Sequence, residues 1–266
     1  MRGTIEDMPH IKNYPLYFAR IVSKLLSFLY FGLSTLFLCI FIFPVLTVFV
    51  HPHKKFLKRS RRFVNSSFRT FTIFMNLIGC AKLETDDRNP FRNLGGKIVI
   101  ANHPSLLDVV MLISLIPNAD CIVNAGLMKN IVRGVIRRLY ILNSLNFDDM
   151  LAACKNTLDE GNALIIFPEG TRTPRGSDSL KFKKGAARIS IASAAPIVCV
   201  HIGGTDKFGL GKGDPLMAYN RMQKYLYKIK ILCEVDPVEF SGLENQIAVK
   251  RMNDKLQNIY KNINED

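Results

Sequence analysis

The sequence lacks the paired cysteines that mark a disulfide or zinc framework. Its six cysteines, at positions 39, 80, 121, 154, 199 and 233, are far apart, and none forms a C-x-x-C pair. Several lie inside apolar runs, where a free thiol behaves as a small hydrophobic side chain. His51 and His53 are close together but have no further ligands nearby. The sequence therefore predicts reduced cysteines, no disulfide framework and no metal site.

Acidic residues are also scarce. There are 22 of them against 36 Lys and Arg residues, which gives a formal net charge of +14. Such an excess favours anionic partners, namely acidic phospholipid headgroups, phosphorylated substrates or nucleic acid. No zinc-finger or RNP-like motif is visible, and the basic run lies beside a hydrophobic span. Phospholipids are therefore the predicted partner and nucleic acid is not, although a basic nucleic-acid-binding membrane protein is the rival interpretation.

Charge is absent from the 26 residues between Leu25 and Val50, which are rich in Leu, Phe and Ile. A helix of this length can cross a hydrocarbon core of roughly 30 Å. The run is too long for a signal-peptide core, and no small-x-small cleavage site follows it. A buried core helix rarely runs this far without a polar face, so we expect membrane attachment. Pro44 interrupts the run, which leaves both complete spanning and a kinked helix in one leaflet open.

Basic residues are denser after this span than before it. The following segment contains Lys54, Lys55, Lys58, Arg59, Arg61, Arg62 and Arg69, whereas the preceding basic residues are diluted by Glu6 and Asp7. The denser flank is expected to stay cytoplasmic, together with the rest of the chain. A second apolar stretch between Phe68 and Ile78 is too short to span and is expected in the interface or against the following domain.

Residues 1–85 are thus predicted to form an N-terminal membrane-anchoring helical region, and residues 86–266 an α/β domain. The turn-rich segment from Asp86 to Gly96 separates them. Continuous apolar runs then alternate with helical segments, which indicates a mostly parallel sheet flanked by helices. The predicted strands are Lys97–Ala101, Cys121–Val123, Ala163–Phe167, Pro196–Ile202 and Lys228–Val235. The predicted helices are Ser105–Ile116, Leu127–Leu139, Asp148–Glu160, Gly185–Ser193 and about Leu243–Asn262.

A first polar motif, from Asn102 to Asp108, follows directly on the first buried strand. Ligands bind at the carboxyl ends of strands in open α/β sheets. Pro104 suits the first position of a helix, which would put His103 on the turn and Asp108 about one turn inside. If the turn folds back, the carboxylate can hold one imidazole nitrogen and leave the other as a general base. The alternative is a His packed at a helix N-terminus with an ordinary exposed Asp.

A second polar motif, from Phe167 to Arg172, follows another buried strand. Gly170 allows a close backbone approach, and the forked guanidinium of Arg172 suits a phosphate. Glu169 is expected to orient Arg172 or to bind an acceptor hydroxyl. Lys181, Lys183 and Lys184 add positive charge just beyond the motif. A strand-to-loop turn with a surface ion pair, followed by a solvated basic face, would explain the same residues.

Together the two motifs resemble the glycerolipid acyltransferase family that includes the 1-acylglycerol-3-phosphate acyltransferases. The family's N-H-x-x-x-x-D block is similar to residues 102–108, and its F-P-E-G-T-R block is similar to residues 167–172. The segment from Lys181 to Ala187 and the strand around Pro196 also look like family segments. The resemblance covers about Lys97 to Gly203.

The resemblance implies that His103 and Asp108 are catalytic. His103 would remove the proton from the acceptor hydroxyl as its oxygen attacks a thioester, so neither a covalent acyl-enzyme nor a cofactor is needed. Acyl-CoA or acyl carrier protein would be the co-substrate, 1-acylglycerol-3-phosphate the acceptor and phosphatidic acid the product. No G-x-S-x-G elbow supports Ser105 as a nucleophile. The predicted substrate-binding residues are Asn102, Ser105, Glu169, Gly170, Thr171, Arg172 and Lys183.

Two positions depart from the family pattern. Asn124 stands where members often have a lysine that is thought to help bind phosphate, and Cys199 replaces the second proline of the last motif. Asn124 leaves another lysophospholipid, or a specialised lipid, open as the acceptor. A non-catalytic membrane scaffold is the remaining alternative, against which the intact His103, Asp108, Glu169 and Arg172 argue. Oligomeric state and acyl-chain preference have no signal in the sequence.

Overall fold

The N-terminal part of the chain folds as one long apolar helix. The computed structural model describes residues 10–126, 133–173 and 181–263. Helix α1 (Tyr14–Phe37) continues through a π-helical turn (Leu38–Ile42) into α2 (Phe43–Phe49). The π turn lies immediately before Pro44, where a missing N–H would otherwise break the helical ladder. The resulting 36-residue helix, Tyr14–Phe49, is long and apolar enough to cross a membrane by length and composition.

Helix α3 (His53–Leu77) folds back along this helix. Tyr30 stacks on Phe74 with 4.5 Å between the ring centroids, and Phe31 contacts Phe68 at 5.7 Å. The opposite side of α3 packs on α5 and on β1 of the sheet. The second apolar stretch of the sequence is the last part of α3, and it covers the α/β domain.

The remaining chain forms a seven-stranded mixed sheet with the order β1-β7-β6-β2-β5-β3-β4. Every neighbouring pair is parallel except β6 and β7, which are antiparallel. The predicted α/β class with a mostly parallel sheet is therefore confirmed. The strands are β1 (Ala81–Glu84), β2 (Ile98–Ala101), β3 (Ala119–Val123), β4 (Ile141–Leu142), β5 (Ala163–Ile166), β6 (Ile197–Gly204) and β7 (Tyr225–Val235).

Helices cover both faces of the sheet. Along β2 the buried side chains alternate: Val99 and Ala101 face α3 and α5, while Ile98 and Ile100 face α7, α8 and α9. Burial on both faces explains why the central strands are continuous apolar runs. The helices after α3 are α4 (Asn89–Arg92), α5 (Asp108–Leu115), α6 (Arg133–Leu139), α7 (Phe147–Asp159), α8 (Gly185–Ser193) and α9 (Asn245–Lys261).

Several elements differ from the sequence-based expectation. The strands β1 and β4 were not predicted, and β7 begins three residues earlier than expected. Strand β1 pairs with β7 and lies just before residue 86, while the boundary between the two predicted regions stays a prediction. Of the expected helix Leu127–Leu139, the part from 127 to 132 lies outside the described residues, and α6 is its second half.

The strand directions bring three connections to one edge of the sheet. Because β2, β5 and β6 are parallel, their carboxyl ends meet there, and the antiparallel β7 begins at the same edge. The connections are residues 102–107, residues 167–173 and residues 205–224, the last of which we call the β6–β7 connection. Both polar motifs of the sequence therefore lie at this edge.

Candidate active site

The turn after β2 brings His103 and Asp108 together. Nδ1 of His103 lies 2.8 Å from Oδ2 of Asp108. The expectation that Pro104 opens the helix is wrong, because α5 begins at Asp108 with Leu107 as its N-cap. Asp108 is thus the first helical residue rather than one turn inside. The preceding residues form a turn that carries the imidazole back over the helix N-terminus, which closes the five-residue gap.

The carboxylate of Asp108 is fully buried and fully engaged. Oδ2 accepts hydrogen bonds from Nδ1 of His103 and from the backbone N–H of Ser105 at 2.7 Å, and Oδ1 accepts from the Ser105 hydroxyl at 2.5 Å. These three hydrogen bonds satisfy both carboxylate oxygens. The carboxylate therefore fixes the imidazole tautomer with hydrogen on Nδ1. The Nε2 atom of His103 is left with its lone pair as a proton acceptor.

The second motif holds the His103 side chain and backbone from the other side. The imidazole stacks on the ring of Phe167, with 4.1 Å between centroids and 21° between planes. The backbone N–H of His103 donates to Oε1 of Glu169 at 3.0 Å, and its carbonyl accepts from the N–H of Thr173 at 2.8 Å. His103 keeps 18% of its side chain exposed. The two motifs therefore form one site with an accessible imidazole.

Ser105 does not lie where a substrate could contact it. Its side chain is fully buried, and its hydroxyl donates to Asp108 while lying 2.8 Å from the hydroxyl of Tyr227. Because the single Ser105 hydrogen is used on the carboxylate, Tyr227 donates to Ser105. Burial raises the pKa of Tyr227 well above its ordinary value, so the phenol keeps this hydrogen. The predicted substrate-binding role of Ser105 is corrected: it positions Asp108.

Asn102 also has a structural position. Its side-chain amide donates to the carbonyl of Ile202 at 2.9 Å, and its carbonyl oxygen accepts from the N–H of Ile202 at 2.8 Å. The side chain therefore extends the pairing of β2 and β6 by one residue. This bridge holds the start of the turn that carries His103, and the predicted contact of Asn102 with substrate stays a prediction.

Glu169 serves the backbone of the site rather than Arg172. In addition to the His103 N–H, it accepts a hydrogen bond from the hydroxyl of Thr173. Burial raises the pKa of the Glu169 carboxyl, and these two hydrogen bonds oppose that rise. The expectation that Glu169 orients Arg172 is therefore wrong. Its position behind the first motif joins the two motifs by a hydrogen bond.

The three residues beyond Glu169 differ in exposure. Gly170 has a φ of +70°, and a Cβ there would lie 2.7 Å from Nζ of Lys183, whose exposed side chain crosses this glycine. Thr171 is exposed next to it. Arg172 is half-buried and donates from Nη1 to the carbonyls of Leu210 and Gly211, at 3.2 and 3.0 Å. One nitrogen makes both of these bonds, and within the described residues the other guanidinium N–H groups remain for an anion.

The β6–β7 connection supplies groups that the sequence did not indicate. The N–H of Leu106 donates to the carbonyl of Leu210 at 2.9 Å. Lys207 is buried with Nζ 4.6 Å from the centroid of the Tyr227 ring, and it donates to the carbonyl of Leu226 at 2.8 Å. Burial lowers the pKa of Lys207 to about 8. A lysine buried among backbone carbonyls has no local sequence signature that would have revealed it.

The arrangement is suited to general-base chemistry on a hydroxyl. A buried carboxylate holds one imidazole nitrogen, 18% of the His103 side chain is exposed, and cationic groups lie along the same edge. A carboxylate in this position also stabilises the imidazolium that forms after proton transfer. Asn124 lies beyond β3 at the same edge, exposed, with its side-chain oxygen accepting from the N–H of Gly126 at 2.7 Å.

Comparison with known proteins finds similarity to acyltransferases. The family described as Acyltransferase matches residues 82–203. Over 142 residues the chain is 30% identical to a 1-acyl-sn-glycerol-3-phosphate acyltransferase of Helicobacter pylori, covering 51% of this chain and 58% of that protein. Over 184 residues it is 26% identical to the human 1-acyl-sn-glycerol-3-phosphate acyltransferase beta, covering 66% of this chain and 61% of that protein.

A solved structure shares the fold. It is the crystal structure of the 1-acyl-sn-glycerophosphate (LPA) acyltransferase, PlsC, from Thermotoga maritima, which superposes with a TM-score of 0.61 over 92% of this chain and 100% of that chain at 24% identity. The match spans 58% of the length of the Helicobacter pylori relative and 33% of that of a Brassica napus relative. Both motifs and the strands that carry them lie within residues 82–203, the part of the chain that is similar to the acyltransferase family.

Proposed function

We propose that this chain is an O-acyltransferase that moves an acyl chain from a thioester to the free hydroxyl of 1-acylglycerol-3-phosphate, giving phosphatidic acid. The observation that carries the proposal is the pairing of Nδ1 of His103 with the buried Asp108 at 2.8 Å, in a histidine whose side chain is 18% exposed. Several relatives bear the name of this activity.

In the proposed reaction, Nε2 of His103 accepts the proton of the acceptor hydroxyl as the oxygen attacks the thioester carbonyl. The C–S bond then breaks, and the imidazolium returns the proton to the departing thiolate. Asp108 stabilises the imidazolium between these two steps. The thioester is already activated, so the histidine needs no covalent intermediate. Asn102, Ser105 and Glu169 act by holding this pair in place.

The acceptor phosphate is proposed to bind between Arg172, Thr171 and Lys183. Arg172 has N–H groups beyond those used on Leu210 and Gly211, and Lys183 and Thr171 are exposed beside it. A phosphate held there would orient the acceptor hydroxyl, and orientation makes a large contribution to catalysis. Asn124 at the same edge favours, as the second candidate, a related lysophospholipid with a different headgroup. The net charge of +14 suits acyl-CoA and acyl carrier protein equally, since both are anionic.

We propose further that the long N-terminal helix lies in one leaflet. The α/β domain contacts it from Tyr17, which lies 3.4 Å from the N–H of Tyr219, to Phe43, whose ring centroid is 5.8 Å from the guanidinium of Arg138. These positions are 26 residues apart, or about 39 Å along the helix at 1.5 Å per residue. That length exceeds the roughly 30 Å of a hydrocarbon core. Complete spanning would carry Arg138 or the β6–β7 connection into the lipid.

The other side of the helix is apolar and exposed, as a lipid-facing surface requires. Leu29, Leu33 and Phe37 are all more than half exposed. The basic start of α3 suits the anionic cytoplasmic leaflet, where we place the α/β domain. Protease digestion of an N-terminal tag in sealed vesicles tests this placement. The one-leaflet arrangement requires the tag and the α/β domain to be cleaved from the same side, and cleavage from opposite sides contradicts it.

The activity is tested with purified full-length protein, labelled acyl-CoA or acyl carrier protein, and a panel of lysophospholipids including lysophosphatidic acid. We expect transfer to lysophosphatidic acid and its loss in His103→Gln, because glutamine cannot accept and return the proton. Lys155→Gln on the distant helix α7 is the control for the substitution itself. Transfer by His103→Gln at the native rate would refute the mechanism, and transfer only to other lysophospholipids would refute the proposed acceptor.

A further inference from the structure

Lys24 is a buried cation in the apolar N-terminal helix. Only 1% of its surface is exposed, although it lies within a helix whose other side is apolar and exposed. Its ammonium group donates to the carbonyl of Gly209 at 3.3 Å and to the carbonyl of Ala218. Both carbonyls belong to the β6–β7 connection. A buried ammonium is expensive unless it is hydrogen-bonded, so this lysine fixes the connection to the helix.

The same connection is hydrogen-bonded, one residue further along, to residues 102–107, which we call the catalytic turn. The carbonyl of Leu210 accepts from the N–H of Leu106, which lies between His103 and Asp108, and from Nη1 of Arg172. Gly209 and Leu210 are adjacent, so a single peptide unit separates the acceptor of Lys24 from the acceptor of the catalytic turn. The helix and the site are therefore joined by a short chain of hydrogen bonds.

The connection is stiff at this point. Asp214 accepts hydrogen bonds from the backbone N–H groups of Gly209 and Gly211, at 2.8 and 2.9 Å. Gly209 has a φ of +91°, and a Cβ there would lie 2.1 Å from the carbonyl oxygen of Ala218. Only glycine fits this backbone, which keeps the two acceptors of Lys24 close together. Displacement of one end of such a segment is transmitted to the other.

We infer that Lys24 is a positioning residue: through Gly209 and Leu210 it holds the catalytic turn and Arg172 in place, so that the membrane helix is part of the active-site framework as well as an anchor. The catalytic part of this inference rests on the proposed function. The structural part, that loss of Lys24 loosens the catalytic turn, does not.

The test compares hydrogen–deuterium exchange in full-length wild type, Lys24→Met, Lys24→Arg and Lys12→Met. Lys12→Met is the control, because it removes the same charge from an exposed position before the helix. In Lys24→Met we expect exchange to rise at least threefold in peptides covering residues 104–110 and 206–218. Lys24→Arg retains the donors and should stay near wild type, as should Lys12→Met.

A variant in the β6–β7 connection distinguishes a weakened contact with Lys24 from unfolding of α1. Gly209→Ala should raise exchange in residues 104–110 as Lys24→Met does, while α1 keeps its protection. If Lys24→Met does not fold, the inference is tested by exchange in Gly209→Ala and Lys24→Arg alone. Unchanged exchange at residues 104–110 in Gly209→Ala, or in a folded Lys24→Met, overturns the inference.

Kinetics supply the catalytic readout. Lys24→Met should lower kcat about tenfold with the KM for the acyl donor unchanged, and Lys12→Met should leave both unchanged. Because Lys24 and Arg172 act on the same peptide segment, the loss in Lys24→Met/Arg172→Leu should be smaller than the product of the single losses. If the activity losses of the two single variants multiply in the double variant, Lys24 and Arg172 do not act on the same segment. A protein without acyl transfer that still shows the exchange response refutes the proposed function and leaves the structural coupling standing.

Discussion

Replacement of Ser105 by alanine tests how the Asp108 carboxylate is held. The substitution removes the hydroxyl that donates to Oδ1 and leaves Tyr227 without its acceptor, while Oδ2 keeps the Ser105 N–H and the His103 Nδ1–H. A hydrogen bond to a charged group contributes about 1.5–3 kcal/mol. At 1.36 kcal/mol for each tenfold change in rate, kcat should fall about 10- to 150-fold. The KM values for donor and acceptor should stay the same, because the Ser105 side chain is fully buried.

The assay is steady-state acyl transfer with each substrate varied in turn. Ser114→Ala is the matched control, since Ser114 is buried on α5, the helix after Ser105, and its hydroxyl donates to the carbonyl of Met111 instead of to a carboxylate. A loss near a millionfold, of the size seen when a nucleophile is deleted, would assign covalent catalysis to Ser105. A raised KM with unchanged kcat would instead restore Ser105 as a substrate contact. Either result refutes the positioning role.

Two further predictions concern buried charge and are measured by chemical unfolding of the detergent-solubilised protein. Asp120→Ala leaves the buried Arg61 without its partner at 2.7 Å and should lower the free energy of unfolding by about 3–5 kcal/mol. Glu239→Ala, which breaks the exposed pair with Lys255, should lower it by less than about 1 kcal/mol; equal effects of the two substitutions would contradict this. Lys207 has its pKa lowered from 10.5 to about 8 by burial, so the unfolded chain binds its proton more readily between these values. The free energy of unfolding of wild type should therefore rise relative to that of Lys207→Met as the pH rises from 8 to 10.5, by about 3 kcal/mol. A constant difference across this range would refute the lowered pKa of Lys207.

The parts of the fold that the sequence predicted are those with a strong local signal. Strands β2, β5 and β6 are buried on both faces and so appear as continuous apolar runs, and α8 has the predicted bounds. Strand β4 has only two residues, and β1, with the sequence AKLE, is half polar. Neither has a hydrophobic period that would identify it. The direction of β7 depends on its partner β6, which a strand's own sequence does not encode.

The candidate site also has a part that could be predicted from the sequence and a part that could not. The pairing of His103 with Asp108 could be predicted because both lie in one short motif at a strand end. The partners of Ser105 and Arg172 could not, since they come from Tyr227 and Leu210, more than thirty residues away. The segment that supplies Leu210 is irregular and rich in glycine, with no period to place it. Its backbone carbonyls, which any residue could present, are the interacting groups.

The reversed direction of β7 makes the β6–β7 connection a separable module. Both of its ends lie at the catalytic edge, so it never crosses the sheet and its length is not fixed by a crossover helix. An exchange of residues 205–224 between relatives is therefore expected to keep the strand order, provided that buried side chains such as Lys207 and Tyr219 are kept. Such a transplant would change the surface beside Leu106 and Arg172 while the His103–Asp108 pair stays on the turn between β2 and α5. A graft needs to keep the two carbonyls that receive Lys24. Under the proposed function, we expect such a graft to change the acceptor preference.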